Sequence, residues 1–339
     1  MKTGRSVALV LSMLAVLTPC ASAEPADSLL GDWTIVGPFT HQNLAVYLIR
    51  GKEVILGNKF VPLEEALEKK IAIVHETGTV NQLAVENLSP HSEVFIQAGD
   101  IVKGGRQDRV LAYDMILPPR SGKLPISSFC VEAGRWRSRG GEDDRQFSGS
   151  SGQLPGKALR LAVSSARQQG QVWEKVKEQQ QKLGRRLNKT VADPRSPSSL
   201  QLTLEDMDLR ARVNAYVSRL ESSGAARPGV IGVAVAINGK LEGAEVYGSS
   251  ALFRKLWPRL LRAAAVDAFA EFQPGRRYEP VEAAEIMAFL SEGSKGKRTD
   301  TDVNSRIKVT TRHGEVAVCV ETRDQDHKGA VIHRSFIAR

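Results

Sequence analysis

Between Asp32 and Glu132 the chain breaks into seven short apolar or alternating runs: Ala45–Ile49, Glu53–Leu56, Ile71–His75, Gln82–Asn87, Val94–Ile96, Val110–Leu117 and Ile126–Glu132. Gly, Pro, Asn and Ser separate them. Runs this short suit strands rather than helices, so this stretch reads as sheet. Leu63–Lys69, with Pro62 at its front edge, is the one short helix expected inside it.

Past Glu132 the period changes. Gly140–Gly156 collects Gly, Ser, Asp and Arg without apolar periodicity and reads as a mobile loop. Leu159, Val163 and Ala166, then Val172, Val176 and Leu183, recur at helical spacing with Gly170 as a weak point, which predicts one long or broken helix. Asn188–Ser199 carries Pro194 and Pro197 and reads as a linker. A helix with Leu209, Val213, Tyr216, Val217 and Leu220 on one face follows, with Thr203 and Asp206 as an imperfect capping pair. Val230–Ile237 and Ala244–Tyr247 flank Asn238-Gly239, the strongest short hairpin signal. Ser249 or Ser250 can cap the next helix, which Pro258 is expected to kink. Pro280, Glu282, Glu285 and Gly293 frame another helix, and Arg306–Thr311, Glu315–Glu321 and Ala330–Ile337 close the chain as strands. The order predicts an α+β protein whose terminal strands join one sheet system.

The first 23 residues combine Lys2 and Arg5, the apolar run Val7–Leu17 and the small-residue end Ala21-Ser22-Ala23, the pattern of a secretory signal cleaved before Glu24. The apolar run is shorter than the roughly 20 residues a membrane-spanning helix needs, and no later stretch is long and apolar enough. Pro19 in front of Cys20 disfavours lipid attachment there. The expectation is an exported, periplasmic or extracellular protein with no transmembrane segment. Residues 24–339 then form a single α+β domain, or two halves, 24–156 strand-rich and 157–339 mixed. Loss of Lys2 and Arg5 lowers the formal net charge from +9 to +7. The basic residues are scattered rather than gathered in a stripe, so no nucleic-acid partner is expected.

Two motifs stand out. Gln97-Ala98-Gly99-Asp100-Ile101-Val102-Lys103-Gly104-Gly105-Arg106-Gln107-Asp108-Arg109 is a glycine-rich turn, and Ser128-Phe129-Cys130-Val131-Glu132-Ala133-Gly134-Arg135-Trp136 follows after the strand-like Val110–Leu117. Together they resemble the ARG and rhodanese-phosphatase-superfamily-associated protein domain, a prokaryotic family. Gln171–Trp173, Gly232–Gly239, Ser250–Leu261 and Gly329–Phe336 extend the resemblance over most of the chain. The Ser128–Trp136 segment is the most specific part, although Phe129 stands where the family pattern often has a small residue. The family's name reflects genomic neighbours rather than a reaction. It implies an association with ADP-ribose metabolism and no particular substrate.

The glycine turn lacks the Lys and Ser/Thr that would complete a phosphate-binding loop, and a strand rather than a helix follows it. Gly99, Gly104 and Gly105 suit positive φ. Alternation sends Gln107 and Arg109 to one side, an amide and a guanidinium aimed at one acceptor; pairing with Asp100, Asp108 or Glu132 is the competing role and the favoured one. Glu132 with Arg135 fits a salt bridge ordering the turn at Gly134, and Trp136 fits either packing or stacking on a base or sugar. The predicted return of the chain after Pro118–Gly122 brings Gln107, Arg109, Glu132 and Arg135 together. Cys130 and Cys319 could pair in an oxidising compartment, or each could serve as a small core residue. All six histidines, His41, His75, His91, His313, His327 and His333, are remote from Cys130 in sequence, so nothing local marks a triad. No metal motif is present; Asp324, Asp326 and His327 read as a solvated turn and His333 as a core histidine.

The candidate ligand-binding residues are therefore Asp100, Gln107, Arg109, Glu132, Arg135 and Trp136. The leading expectation is a cofactor-free protein binding a small anionic or carbohydrate-like ligand, or a periplasmic protein. The alternatives are a cofactor-free hydrolase acting on an ADP-ribose-like or sugar-containing substrate, with Asp100 or Glu132 as base and Arg109 or Arg135 stabilising developing charge, and a structural envelope protein.

Overall fold

Asn238 and Gly239 both take positive φ, 54° and 73°, as a two-residue hairpin turn requires. The strands they join, β12 (Val230–Ile237) and β13 (Lys240–Tyr247), lie near the middle of an eight-stranded sheet. The computed structural model describes residues 32–57, 60–150, 154–166, 168–224 and 227–339. The segment expected to be a signal, 1–23, lies outside them.

The sheet runs β1 (Thr34–His41), β2 (Leu44–Arg50), β12, β13, β17 (Ala330–Ala338), β16 (Ala317–Asp324), β15 (Ile307–His313) and β14 (Lys297–Asp302), all antiparallel. The closing strands thus share one sheet with the first two, and a division of the chain at 156 would cut it between β2 and β12. Strand β2 is apolar at every position up to Ile49 because both its faces are covered. Leu44, Val46 and Leu48 belong to the core beneath the long helices, whereas Ala45, Tyr47 and Ile49 belong to a second core on the opposite face. The first core holds α6 (Ser250–Glu271) and α5 (Met207–Gly224); the second holds α7 (Ala283–Gly293). Ser249 caps α6 by accepting from Leu252 N, and α6 continues through Pro258. Glu282 and Glu285 form a capping box on α7. Asp206 alone caps α5, accepting from Asp208 N and Leu209 N at 3.1 Å each; Thr203 instead lies in the short α4 (Leu200–Leu204).

The motif-bearing half adds a closed six-stranded barrel, β10 (Gly122–Cys130), β5 (Gln82–Asn87), β4 (Ala72–Thr79), β11 (Gln146–Gly149), β7 (Ile101–Gly104) and β8 (Arg109–Leu111), filled by residues such as Val74, Leu83, Val85, Val102, Leu111 and Ile126. A small sheet of β3 (Phe60–Pro62), β6 (Glu93–Ile96) and β9 (Met115–Leu117) lies beside it, with α1 (Leu63–Glu68) following β3. The remaining helices are α2 (Lys157–Leu161), a π-helical turn at Ala162–Ala166 and α3 (Gln169–Leu187), so the expected helix is broken and resumes just before Gly170.

Several expectations need correction. Glu53–Leu56 is not a strand: Val54 and Ile55 both donate to the carbonyl of Gly248, and Leu56 is exposed. Val110–Leu117 is not one strand but two, β8 in the barrel and β9 in the small sheet, parted at Ala112–Asp114. Gly140–Gly156 contains β11, which completes the barrel; only its Phe147 is buried, so no apolar period announces it. Strands β1 and β14 are largely solvent-facing edges, which carry little apolar pattern for the same reason. Cys130 and Cys319 form no disulfide: both are free, buried thiols, one on β10 in the barrel and one on β16 in the large sheet. Among the described residues no helix is long and apolar enough to cross a membrane.

Candidate functional site

The two motifs meet because β8 and β10 pair antiparallel, with Arg109 opposite Cys130 and Leu111 opposite Ser128. That register places the residues before Arg109 next to those after Cys130. Gln107 Nε2 donates to the Glu132 carbonyl at 2.9 Å, and the Asp108 N–H donates to Glu132 Oε2 at 3.0 Å. The expected convergence is made, by a ladder rather than by one continuous hairpin.

At the junction lies a lattice of two carboxylates and two guanidinium groups. Glu132 Oε1 accepts from Arg135 Nε at 2.6 Å, from Arg139 Nη1 at 3.3 Å and from the Ser196 hydroxyl. Asp108 receives Arg139 through both its oxygens, at 3.0 and 3.1 Å, along with Gly104 N and the Ser199 hydroxyl. Both carboxylates are fully buried, and the two arginines nearly so. Burial alone would raise the Glu132 carboxyl; the bonds from Arg135, Ser196 and Asp108 N outweigh it and hold it below the usual range. With those acceptors engaged, Glu132 is poorly placed to take a proton as a general base.

Outside the lattice opens a basin of about 1110 Å³, walled by the 133–142 turn and by 195–198. Arg137 and Trp136 are exposed on its wall, the indole at 43 %, and Arg195 reaches it while paired with Asp193 at 2.8 Å. The guanidinium carbons of Arg106 and Arg109 each lie 5.6 Å from the Trp136 ring centre, within cation–π range. Arg109 itself has no exposed surface. Its Nη1 donates to the Gln107 carbonyl at 3.1 Å, its Nη2 stands 3.8 Å from Glu76 Oε2, and its Nε and Nη2 make no hydrogen bond. Gly105, at φ 54°, packs so tightly against Phe147 that a Cβ would stand 2.3 Å from the ring.

A family model for the ARG and rhodanese-phosphatase-superfamily-associated protein domain matches residues 32–337. The chain belongs to that family. Comparison with curated proteins and with solved structures found no match. Of the segments that resemble the family, the Cys130–Trp136 stretch supplies the turn on the basin wall. Gly232–Gly239, Ser250–Leu261 and Gly329–Phe336 build β12, α6 and β17, which are core.

Of the candidate residues, Gln107, Arg109, Glu132, Arg135 and Trp136 are brought together. Asp100 is not among them. It is buried on an Arg259 side chain from α6 and accepts from Gln97 N at 2.9 Å; burial raises its carboxyl while Arg259 opposes the rise. Asp108, flanked by named candidates, proves to be a centre of the lattice. Arg139 could have been suggested by its place three residues after Trp136. Ser196 and Ser199 carried no signal, since the stretch supplying them read as a linker. Cys130 sits beside Arg109, yet burial pushes its thiol up, away from a reactive thiolate.

The histidines settle elsewhere. His333 lies between Asp114 at 2.8 Å and Glu245 at 2.7 Å and stacks on Tyr247, the satisfied core histidine expected. Asp114 also accepts from Ala98 N and the Thr322 hydroxyl, which anchors the chain between β8 and β9. Asp324 is buried rather than solvated, gripped by Arg306 through both oxygens at 2.8 Å. No metal-binding cluster is found among the described residues.

Proposed function

We propose that the protein is exported and holds a small anionic or carbohydrate-like ligand in the basin beside the Glu132–Trp136 turn. The observation that carries this reading is the division of charge across the turn. The carboxylates of Asp108 and Glu132 are locked inward by Arg135 and Arg139, while Arg137, an exposed indole and the Ser196–Ser198 segment line the opening. A rigid charged wall behind, with the Arg137 guanidinium beside an exposed indole in front, favours recognition of an acceptor-rich ligand. Catalysis by Asp100 or Glu132 gains no support, because the first lies outside the basin and the second has its side-chain acceptors engaged.

The test is a thermal-shift and product screen of the mature chain against ADP-ribose, sugar phosphates and cell-wall fragments, repeated with Arg137→Gln and Trp136→Ala. A ligand at 100 times its Kd stabilises by about 2.7 kcal/mol, a readily visible shift that both variants should reduce. Product formed over multiple turnovers would replace binding with the hydrolase reading. A flat screen would favour the structural one. Mass analysis of the amino terminus tests export, with Glu24 as the expected first residue.

A further inference from the structure

A second cleft, of about 710 Å³, shares no lining residue with the basin. It is framed by the start of α2, one face of α3, the β12–β13 turn and the segment after α6. Six cationic side chains line it against four carboxylates. Lys157, Lys175 and Lys182 are neutralised by Glu242, Glu178 and Glu271 at 2.6, 2.8 and 2.5 Å. Among the described residues Lys240, Arg276 and Arg277 have no carboxylate within ion-pair distance; Arg276 donates only to Gln273 Oε1 at 2.6 Å.

The uncharged side chains of Gln179 and Tyr278 also line this cleft. The frame is also held in place. Asn238 receives the Asn43 amide at 3.0 Å and donates to the Glu271 carbonyl at 3.1 Å, which fastens the turn carrying Lys240 to the end of α6.

We propose that this cleft binds a small phosphate or sulfate ester, with Lys240, Arg276 and Arg277 meeting the oxyanion and the wall that includes Gln179 and Tyr278 enclosing the rest of the ester. The site is separate from the basin, and the two stand or fall independently. Lys240 and Arg277 are exposed and make no ion pair, so their replacement leaves the fold intact.

The experiment is calorimetric titration of the mature chain with inorganic sulfate and with glucose 6-phosphate, alongside vesicles containing phosphatidylglycerol. Saturable binding of glucose 6-phosphate, tighter than that of sulfate, is expected. It should weaken at least tenfold in the Lys240→Gln/Arg277→Gln double variant, whose unliganded Tm is unchanged, and persist in Arg137→Gln. Absence of saturable binding by either soluble probe overturns the proposal, as does an unaltered affinity in the double variant. Loss in Arg137→Gln alone would move the site to the basin, and binding to vesicles alone would replace the small ester with a lipid surface.

Discussion

The Gln107 amide donates to the main-chain carbonyl of Glu132 at 2.9 Å, across 25 positions of sequence. That bond and the adjoining Asp108–Glu132 contact tie the two motifs into one wall, so the lattice behind the basin is first a structural element. Removing one charge from a buried pair is more damaging than removing both. Arg139→Ala is therefore expected to destabilise the fold by about 3–5 kcal/mol, measured by urea unfolding. A loss below about 1 kcal/mol would mean that the lattice is not what holds the motifs together.

Asp267 gives a pH signature. Burial, assisted by Glu242, raises its carboxyl from 3.8 to about 6 against the backbone bond from Lys157 and the charges of Arg160 and Lys157. The folded state thus binds more protons than the unfolded one between those values, and stability falls as pH rises through that window. A displacement of that size is worth on the order of 3 kcal/mol. Asp267→Asn should match the wild type near pH 4 and exceed it in stability above pH 6. Equal gains at both values would refute the linkage.

Gly105 combines φ 54° with contact against Phe147. A side chain there faces both backbone strain and overlap with a barrel residue. Gly105→Ala should lower stability by about 1–3 kcal/mol, whereas Gly140→Ala, where a Cβ meets nothing within 4 Å, should show the strain alone. Comparison of the two Tm values separates the contributions.

Both thiols are buried and free, and burial pushes that of Cys319 up to about 12. Neither should react with a disulfide reagent under native conditions at neutral pH, and both should react on unfolding without reductant. A mass two hydrogens lighter than the reduced chain would instead reveal the bond that the structure lacks.

Family membership, the α+β class, the Asn238-Gly239 hairpin, a serine cap at Ser249 or Ser250 and the apolar strand β2 were legible in the sequence by itself. Each depends on neighbours in the chain: turn residues with the required φ, side chains bonding N–H groups three positions on, and an apolar run whose residues all need cover. Convergence of Gln107, Arg109, Glu132 and Arg135 could be anticipated because an antiparallel return joins segments close in sequence. The partner of each charge was decided only by the tertiary structure. Asp100 meets Arg259 across 159 positions, and Ser196 and Ser199 reach the lattice from a stretch with no periodicity. Composition and spacing do not encode such distances, since any of several carboxylates could have satisfied Arg109 or Arg135. The choice follows from which strands close the barrel, and one of them, β11, buries only Phe147, so that no local pattern marks it.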